Sequence, residues 1–350
     1  MTARENILKA IHFEKPDYIP MIFHINAACW NAYPHEELFE LMESHPFLFL
    51  NFVRPKEPFT PEYINGAKKD EPYVDDWGCL WETAMDGIVG TVTKHPLDDW
   101  DKFASYKIPD PANCMGIGAI DWKTEAERIQ KMKQQGLFTG GGLRHGHTFL
   151  QLCDIRGYED LIFDMEDEEP RLWKLIEKVE EFNAYIIDQY LKMDVDMVTY
   201  AEDLGMQYGP MLSPEKFRKY ILPSYRRLIK PAREKGTIIH MHSDGDIRTL
   251  ISQLMEGGVE VFNLQDLVNG IDWIEDNLKG KVCIDLDIDR QKVTPFGTEK
   301  EIDDLILEEV RRLGSKEGGL MMIYGMYPGV SLKNAKALMD AMEKYAFYDN

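Results

Sequence analysis

Long hydrophobic runs, paired cysteines and an excess of basic residues are all missing from this sequence of 350 residues. No segment reaches the roughly 18 uncharged apolar residues that a membrane-spanning helix needs, and the first residues lack the apolar core of a signal peptide. We therefore expect a cytoplasmic protein that does not bind membranes. A net charge of −21 also argues against a nucleic-acid partner, because a polyanion backbone requires a basic face.

The cysteines are five in number, widely spaced and without a C-x-x-C pair. This pattern is typical neither of a disulfide framework nor of a thiolate zinc site. We interpret the cysteines as small core residues with reduced thiols.

Short apolar segments alternate with helical periodicity through the second half of the chain, as at 196–200 and 236–242. Repeated β-then-α units imply right-handed crossovers and a parallel sheet. Because a dinucleotide-type glycine fingerprint is absent, we predict an α/β fold of the closed (β/α)8 TIM-barrel type, as one domain over residues 1–350. Residues 55–122, rich in Pro, Trp, Gly and Asp, are predicted to form an irregular excursion on the barrel.

A barrel of this type places reactive residues where its strands run into the following loops. Polar side chains are concentrated at those positions. They are His24 and Asn26; Arg144, His145 and His147; Glu202 and Asp203; His240, His242 and Asp244; Gln265 and Asp266; Asp285, Asp287 and Asp289; and Tyr324. The sequence therefore predicts a functional site at the carboxyl ends of the strands.

The strongest group is His240, His242 and Asp244, which alternate along one predicted strand and so project from the same face. Two imidazoles and a carboxylate suit a divalent metal that accepts nitrogen and oxygen ligands, zinc first and iron or manganese next. Glu202 or Asp203 would add an oxygen ligand. The alternative is that one histidine is a hydrogen-bonded core residue and that Asp244 caps the following helix.

Two further groups are open to more than one interpretation. The segment from Arg144 to His147 could hold a substrate carboxylate or donate a proton, or it could be a solvated loop. Asp285, Asp287 and Asp289 share one face, which is costly unless they meet a cation, a metal, a helix N-terminus or water.

Short motifs run along the chain in a specific order and spacing. They are Arg4–Ile11 with Pro16–Pro20; Asp76-Trp-Gly78 with Gly90 and His95-Pro-Leu97; Tyr106–Pro111; Arg156-Gly157; Asp203-Leu-Gly205; Ser213-Pro214; His242-Ser-Asp-Gly245; and Gly318-Gly319 with Asn334-Ala335. With these motifs the chain resembles the uroporphyrinogen decarboxylase superfamily, and within it the corrinoid-dependent methyltransferase-like branch of the O-demethylase type. The resemblance implies a (β/α)8 barrel, in agreement with the prediction above.

Two departures from the superfamily's patterns indicate the branch. True uroporphyrinogen decarboxylases carry an Arg-rich segment after the first strand, whereas residues 23–30 contain no arginine. Thiol-methylating relatives hold zinc with a His-x-Cys pair and a later Cys, but the pair here is His242-Ser-Asp244 and the later position falls in Tyr324–Tyr327. A nitrogen-and-oxygen ligand set leaves a harder Lewis acid, which suits an ether oxygen.

The resemblance, read with these departures, implies a methyltransferase of an anaerobic O-demethylase system. It would move methyl from a methoxyaromatic to the Co(I) corrinoid (cobalamin) of a separate protein. The expected catalytic residues are His147, Asp203 and Tyr324, with His147 or Tyr324 as proton donor to the ether oxygen. The expected ligands of zinc or another divalent metal are His240, His242, Asp244 and Glu202. The expected substrate-binding residues are His24, Asn26, Arg144, His145, Tyr200, Gln265 and Asp287.

Three alternatives remain open at this point. The chain could be a decarboxylase of a smaller carboxylated substrate, with an Asp and His pair as proton shuttle. It could be a non-catalytic binding subunit that kept the barrel, or a metal-dependent methyltransferase of methylamines or thiols. The sequence also leaves the oligomeric state open, a homodimer included.

Overall fold

The computed structural model describes residues 1–50, 52–56 and 59–347. The chain divides into two compact units. Unit 1 comprises Met1–Lys69, Thr83–Val89 and Leu264–Asn350, and unit 2 comprises Asp70–Glu82 and Gly90–Asn263. In both units parallel strands alternate with helices, so the predicted α/β fold, a curled parallel sheet with helices as in TIM barrels, is confirmed. A single domain over 1–350 stays a prediction.

Unit 1 holds the parallel strands Met21–Ile25, Cys283–Asp287 and Leu320–Met326, and the last of these lies between the other two. Its first helix begins with a capping box in which Thr2 and Glu5 each accept the other's backbone N–H, as hydrogen bonds of 3.2 and 2.8 Å show. The helices of unit 1 are Ala3–His12, Cys29–Ala32, His35–Ser44, Asp266–Asn269, Ile271–Asn277, Val293–Phe296, Glu299–Leu313 and Leu332–Tyr345.

Unit 2 holds the parallel strands Gly140–Gly142, Met197–Glu202 and Ile238–Ser243, and the first residues of the strand Val261–Gln265. Its α-helices are Trp122–Gln134, Phe149–Arg156, Tyr158–Glu166, Pro170–Lys192, Pro214–Lys216, Leu222–Lys235 and Ile251–Gly257, with a π-helical turn at Phe217–Ile221. A short hairpin follows the second strand and is formed by Gly205–Met206 and Gly209–Pro210.

The predicted excursion over 55–122 contributes a small antiparallel sheet to unit 2. Its strands are Tyr73–Val74, Leu80–Glu82 and Thr91–Lys94, and a 3₁₀-helix follows at Trp100–Ser105. Glu57 and Pro58 of this segment lie outside the described residues. The five cysteines of the chain are all buried and unbonded, as predicted. None of the helices in the described part of the chain combines the length and apolar character that crossing a membrane requires.

The strand Met197–Glu202 has two different faces, and this difference positions the functional side chains. Val198, Tyr200 and Glu202 are fully buried on one face. Thr199 and Ala201 lie on the opposite face. In the adjacent parallel strand, His240 pairs with Thr199 and His242 pairs with Ala201, so both histidines lie on this second face, as the sequence predicts. Asp203 is the next residue in the same alternation.

Candidate metal centre

Three strand ends of unit 2 bring His145, Asp203 and His242 together. His145 Nε2 lies 3.1 Å from Asp203 Oδ1, and His242 Nε2 lies 3.5 Å from the same oxygen. One ligand atom of each residue lies within 4.8 Å of those of the other two. We call these three residues the His/Asp cluster. Asp203 is a predicted catalytic residue and His145 a predicted substrate-binding residue, and the structure places both beside the predicted ligand His242.

Two ligand-to-ligand distances in the cluster match the spacing around a tetrahedral metal. Zinc bonds of about 2.0–2.1 Å to nitrogen and oxygen place neighbouring ligand atoms about 3.3 Å apart. The two nitrogen-to-oxygen distances of 3.1 and 3.5 Å agree with that edge length. Two imidazoles and a carboxylate are also ligands that zinc accepts. The residues present therefore fit a divalent cation.

Further contacts hold Asp203 and His242 in place. The backbone N–H of Asp244 donates to Asp203 Oδ1 at 3.1 Å. The carboxylate of Asp244 faces the same nitrogen as Asp203 does, because its Oδ1 lies 3.8 Å from His242 Nε2. The other ring nitrogen, Nδ1, lies 2.5 Å from Asn263 Oδ1. His240 lies one pleat earlier on the same face, is 7% exposed and is not part of the cluster.

The contacts of the cluster shift two pKa values in opposite directions. Burial alone would raise the pKa of Asp203, but hydrogen bonds from His145 and His242 outweigh it and hold that pKa far below its usual range. Burial alone would lower the pKa of His242, yet the hydrogen bond to Asp203 and the charge of Asp244 raise it to about 9. At neutral pH, His242 is therefore an imidazolium unless a metal displaces its proton.

The loops that carry the two carboxylates are joined through their backbones. The N–H of Gly205 donates to the carbonyl of Asp244 at 3.2 Å. The N–H of Asp246 donates to the carbonyl of Met206, in the hairpin, at 2.8 Å. The motifs Asp203-Leu-Gly205 and Ser243-Asp-Gly245 both end in glycine because the two loops approach so closely that a Cβ on Gly205 would lie 2.5 Å from the backbone nitrogen of Asp246.

Glu202, for which the sequence predicts a metal-ligand role, lies on the opposite strand face. Its carboxylate accepts the backbone N–H groups of Thr148, Phe149 and Leu150 at 2.6, 2.7 and 3.2 Å. Burial raises the pKa of Glu202 to about 7 against the effect of these hydrogen bonds. The side chain is therefore engaged at the N-terminus of the helix Phe149–Arg156, and the prediction of Glu202 as a ligand is corrected.

His147 and Tyr200 are also buried away from the cluster. His147 Nδ1 lies 2.6 Å from Thr148 Oγ1, and burial lowers the pKa of its imidazole to about 3. The ring is therefore neutral and only 1% exposed, which contradicts a role as proton donor to a substrate. The hydroxyl of Tyr200 donates to the carbonyl of Leu228 at 3.0 Å, and the ring has no exposed surface, so it forms no wall of a substrate site.

Arg144 forms an internal ion pair. Its Nη2 lies 2.6 Å from Asp154 Oδ2, its Nη1 lies 3.8 Å from Asp75 Oδ2, and its guanidinium lies 5.7 Å from the centre of the Trp81 ring. The guanidinium charge is neutralised within unit 2, and the side chain is only 6% exposed. The predicted pairing of Arg144 with a substrate carboxylate is therefore not supported.

The predicted site residues of unit 1 occupy the ends of its own strands. His24 is exposed, and the Asn26 side chain accepts the backbone N–H of Ala28 at 2.9 Å. Asp287 is 5% exposed and accepts a hydrogen bond of 2.8 Å from Arg290 Nη2. Their predicted roles in substrate binding stay predictions.

The other residues of unit 1 that the sequence analysis singled out have contacts within the protein itself. The carbonyl of Gln265 accepts the side-chain amide of Asn269 at 2.9 Å. The ring of Tyr324 has no exposed surface and lies 5.1 Å from the ring of Phe23, which argues against its predicted role as proton donor. Asp289 accepts the backbone N–H groups of residues 291–294 at a helix N-terminus, one of the environments expected for the clustered carboxylates.

Asn263 is the cluster contact that sequence reasoning missed. It lies 6% exposed in the strand Val261–Gln265. An amide inside a run of apolar residues was the available signal, because a buried polar side chain must find a hydrogen-bond partner.

Comparisons with known proteins agree with this architecture. Residues 78–345 match the family model described as Uroporphyrinogen decarboxylase (URO-D). A uroporphyrinogen decarboxylase of Trichlorobacter lovleyi is 20% identical over 273 residues, 74% of each chain, and one of Prochlorococcus marinus is 23% identical over 172 residues, 47% of each chain. A methyltransferase from Methanosarcina mazei has the same fold, with a TM-score of 0.67 and 16% identity over 99% of both chains. The family model covers well over half of the sequence, and the chain therefore belongs to the uroporphyrinogen decarboxylase family.

Proposed function

We propose that this protein is a methyltransferase that moves the methyl group of a methoxyaromatic to the Co(I) corrinoid of a separate protein. The observation that carries the proposal is the ligand set at the strand ends, where His145, Asp203 and His242 offer nitrogen and oxygen but no sulfur. Such a set favours a hard Lewis acid and an oxygen-containing substrate. A methyltransferase with this fold over 99% of both chains is compatible with the proposal.

Cleavage of a methyl aryl ether requires stabilisation of charge on the departing oxygen. In the proposed reaction the C–O bond breaks with its electron pair on oxygen, the methyl group passes to cobalt, and the phenolate takes up a proton. A divalent cation in the cluster would supply electrostatic stabilisation of the oxygen. Without a cation, the imidazolium of His242, whose Nε2 faces Asp203 and Asp244, would supply the proton that the phenolate takes up.

The roles of the side chains follow from their contacts. Asp203 lies against both imidazoles and orients them. The side chain of His145 has more freedom to move than that of His242, because it is 51% exposed and that of His242 is 20% exposed. Asp244 adds a second carboxylate facing His242 Nε2. We assign His145, Asp203 and His242 as the ligand set, with Asp244 beside them.

Zinc-loaded protein, a panel of methoxyaromatics and a reduced corrinoid protein test the proposal directly. We expect the Co(I) absorption to be replaced by that of methylcobalt, with the corresponding phenol formed in equal amount. Asp203→Asn should abolish the change, whereas Asp188→Asn, at an exposed helix position paired with Lys192, should not. Zinc-loaded wild-type protein that leaves every donor of the panel intact would contradict the proposal.

Decarboxylation of a smaller carboxylated substrate is the second candidate, and it is favoured by the family and by the two curated relatives. One experiment distinguishes the two reactions. Decarboxylation releases CO2 without corrinoid protein, whereas methyl transfer requires an acceptor. Release of CO2 in the absence of any corrinoid would favour this second candidate.

A further inference from the structure

Both ring nitrogens of His242 face oxygen atoms. Nδ1 lies 2.5 Å from Asn263 Oδ1, whereas Nε2 lies 3.5 Å from Asp203 Oδ1 and 3.8 Å from Asp244 Oδ1. An amide oxygen accepts hydrogen bonds and cannot donate them, so Nδ1 must carry the hydrogen in this contact. Because Nδ1 always carries hydrogen here, only Nε2, which faces the two carboxylates, can exchange a proton for a metal ion.

This arrangement requires either a proton or a metal ion at Nε2. A neutral ring with hydrogen on Nδ1 would point the lone pair of Nε2 at two negatively charged side chains, Asp203 and Asp244. That contact is favourable only when a proton or a metal ion lies between them. Histidines that bind metals through one nitrogen commonly donate the other N–H to an oxygen acceptor, which fixes the tautomer and the ring orientation.

The acceptor is held rigidly enough to act in this way. Asn263 lies in the strand Val261–Gln265 and is 6% exposed. His242 lies in the strand Ile238–Ser243. Side chains anchored on strands hold a geometry better than those on loops. His145 differs, because it follows its strand in a loop and is half exposed.

We propose that Asn263 is a positioning residue whose Oδ1 fixes the tautomer of His242 and presents Nε2 to a divalent cation beside Asp203 and Asp244. The inference rests on the proposed function in taking this cluster as the metal site. The tautomer itself does not depend on which reaction follows. Loss of such an outer hydrogen bond typically weakens metal binding by roughly 10- to 100-fold.

Zinc affinity and ring spectra of the full chain test the proposal. Zinc binding is measured by competition with a chromophoric chelator, and long-range ¹H–¹⁵N NMR of the zinc-loaded protein identifies the nitrogen that carries hydrogen. We expect Nδ1–H with zinc on Nε2. Asn263→Leu should weaken zinc binding by roughly 10- to 100-fold. Asn263→Asp keeps an acceptor oxygen and should restore the affinity to near the wild-type value.

Asn334→Leu is the matched control for loss of a buried amide. Asn334 is 9% exposed and donates to the carbonyls of Thr294 and Gly297, so its replacement should lower stability without changing zinc affinity. If Asn263→Leu does not fold, the spectrum of the wild-type ring and the affinity of Asn263→Asp still decide the question.

Several outcomes would overturn the proposal. One is a wild-type ring with hydrogen on Nε2 and zinc on Nδ1, and another is a wild-type protein that binds no zinc. A third is Asn263→Leu with wild-type affinity and spectrum, and a fourth is Asn263→Asp as weak as Asn263→Leu, which would show that Asn263 only fills space. Failure of the proposed function looks different, since the wild-type protein would then bind zinc with the expected ring spectrum but transfer no methyl group.

Discussion

A Cβ atom added to Gly245 would lie 2.2 Å from the carbonyl carbon of Gly205, so these two residues meet backbone to backbone. No side chain fits at that separation. Gly245 also has a φ of +81°, a left-handed conformation that favours glycine. Because the two loops carry Asp203 and Asp244, their close approach sets the distance between the carboxylates that face His242.

Gly245→Ala should therefore destabilise the protein and weaken zinc binding together. The added methyl group strains the backbone and forces the loops of Gly205 and Gly245 apart, so we expect a loss of at least about 2 kcal/mol. Gly236→Ala is the matched control, because its φ of +74° is similar but its Cβ would meet no atom within 4 Å. It should cost about 1 kcal/mol and leave zinc affinity unchanged. Denaturant unfolding and chelator competition measure both effects; equal effects of the two substitutions would refute the packing argument.

The raised pKa of His242 predicts a stability loss at alkaline pH. The folded-state value is about 9, whereas an unfolded histidine titrates near 6.5. The stabilisation is therefore complete below pH 6.5 and is lost as the pH rises through 9. It amounts to about 3 kcal/mol by linkage. Urea unfolding of metal-free protein at pH 6 and pH 10 measures the loss, and His242→Gln should remove most of it. The same pH dependence in wild type and variant would show that another group is responsible.

The contrast between Glu202 and Asp203 shows what the sequence could and could not predict. Alternating β and α segments, the glycine motifs and the shared face of His240 and His242 were all visible in the sequence. Neighbouring strand residues point to opposite faces, however, so a one-residue uncertainty in the strand exchanges a ligand for a helix cap. Arg144 illustrates a second limit, because folding supplies its internal partner Asp154.

Glu202→Gln should lower stability without lowering zinc affinity. The amide offers one acceptor oxygen in place of the two that serve three backbone N–H groups, so we expect a cost of about 2 kcal/mol. Asp203→Asn, the neighbouring isosteric change, replaces a charged ligand with a neutral amide and should strongly weaken zinc binding. Chelator competition on the two variants decides between the residues. Weak zinc binding by Glu202→Gln would restore its predicted role as a ligand.

Arg144→Gln should act on stability rather than on substrate preference. The change leaves the Asp154 carboxylate without its buried partner, and breaking such a pair typically costs about 3–5 kcal/mol. Arg128→Gln breaks an exposed pair with Glu125 and should cost less than about 1 kcal/mol. The preference for carboxylated over neutral methoxyaromatics should be the same in Arg144→Gln as in the wild type. A selective rise in KM for the carboxylated substrates would instead place Arg144 in the binding site.

Zinc affinity should rise with pH because the metal replaces the proton on His242 Nε2. Below the pKa of about 9, each zinc ion that binds must release this proton, so the apparent affinity should rise about tenfold per pH unit. Asp203 adds no proton in this range, since the pKa of its carboxyl lies far below. Chelator competition between pH 6.5 and 8.5, corrected for protonation of the chelator, measures the slope. An affinity independent of pH over this interval would mean that zinc binds without contacting His242.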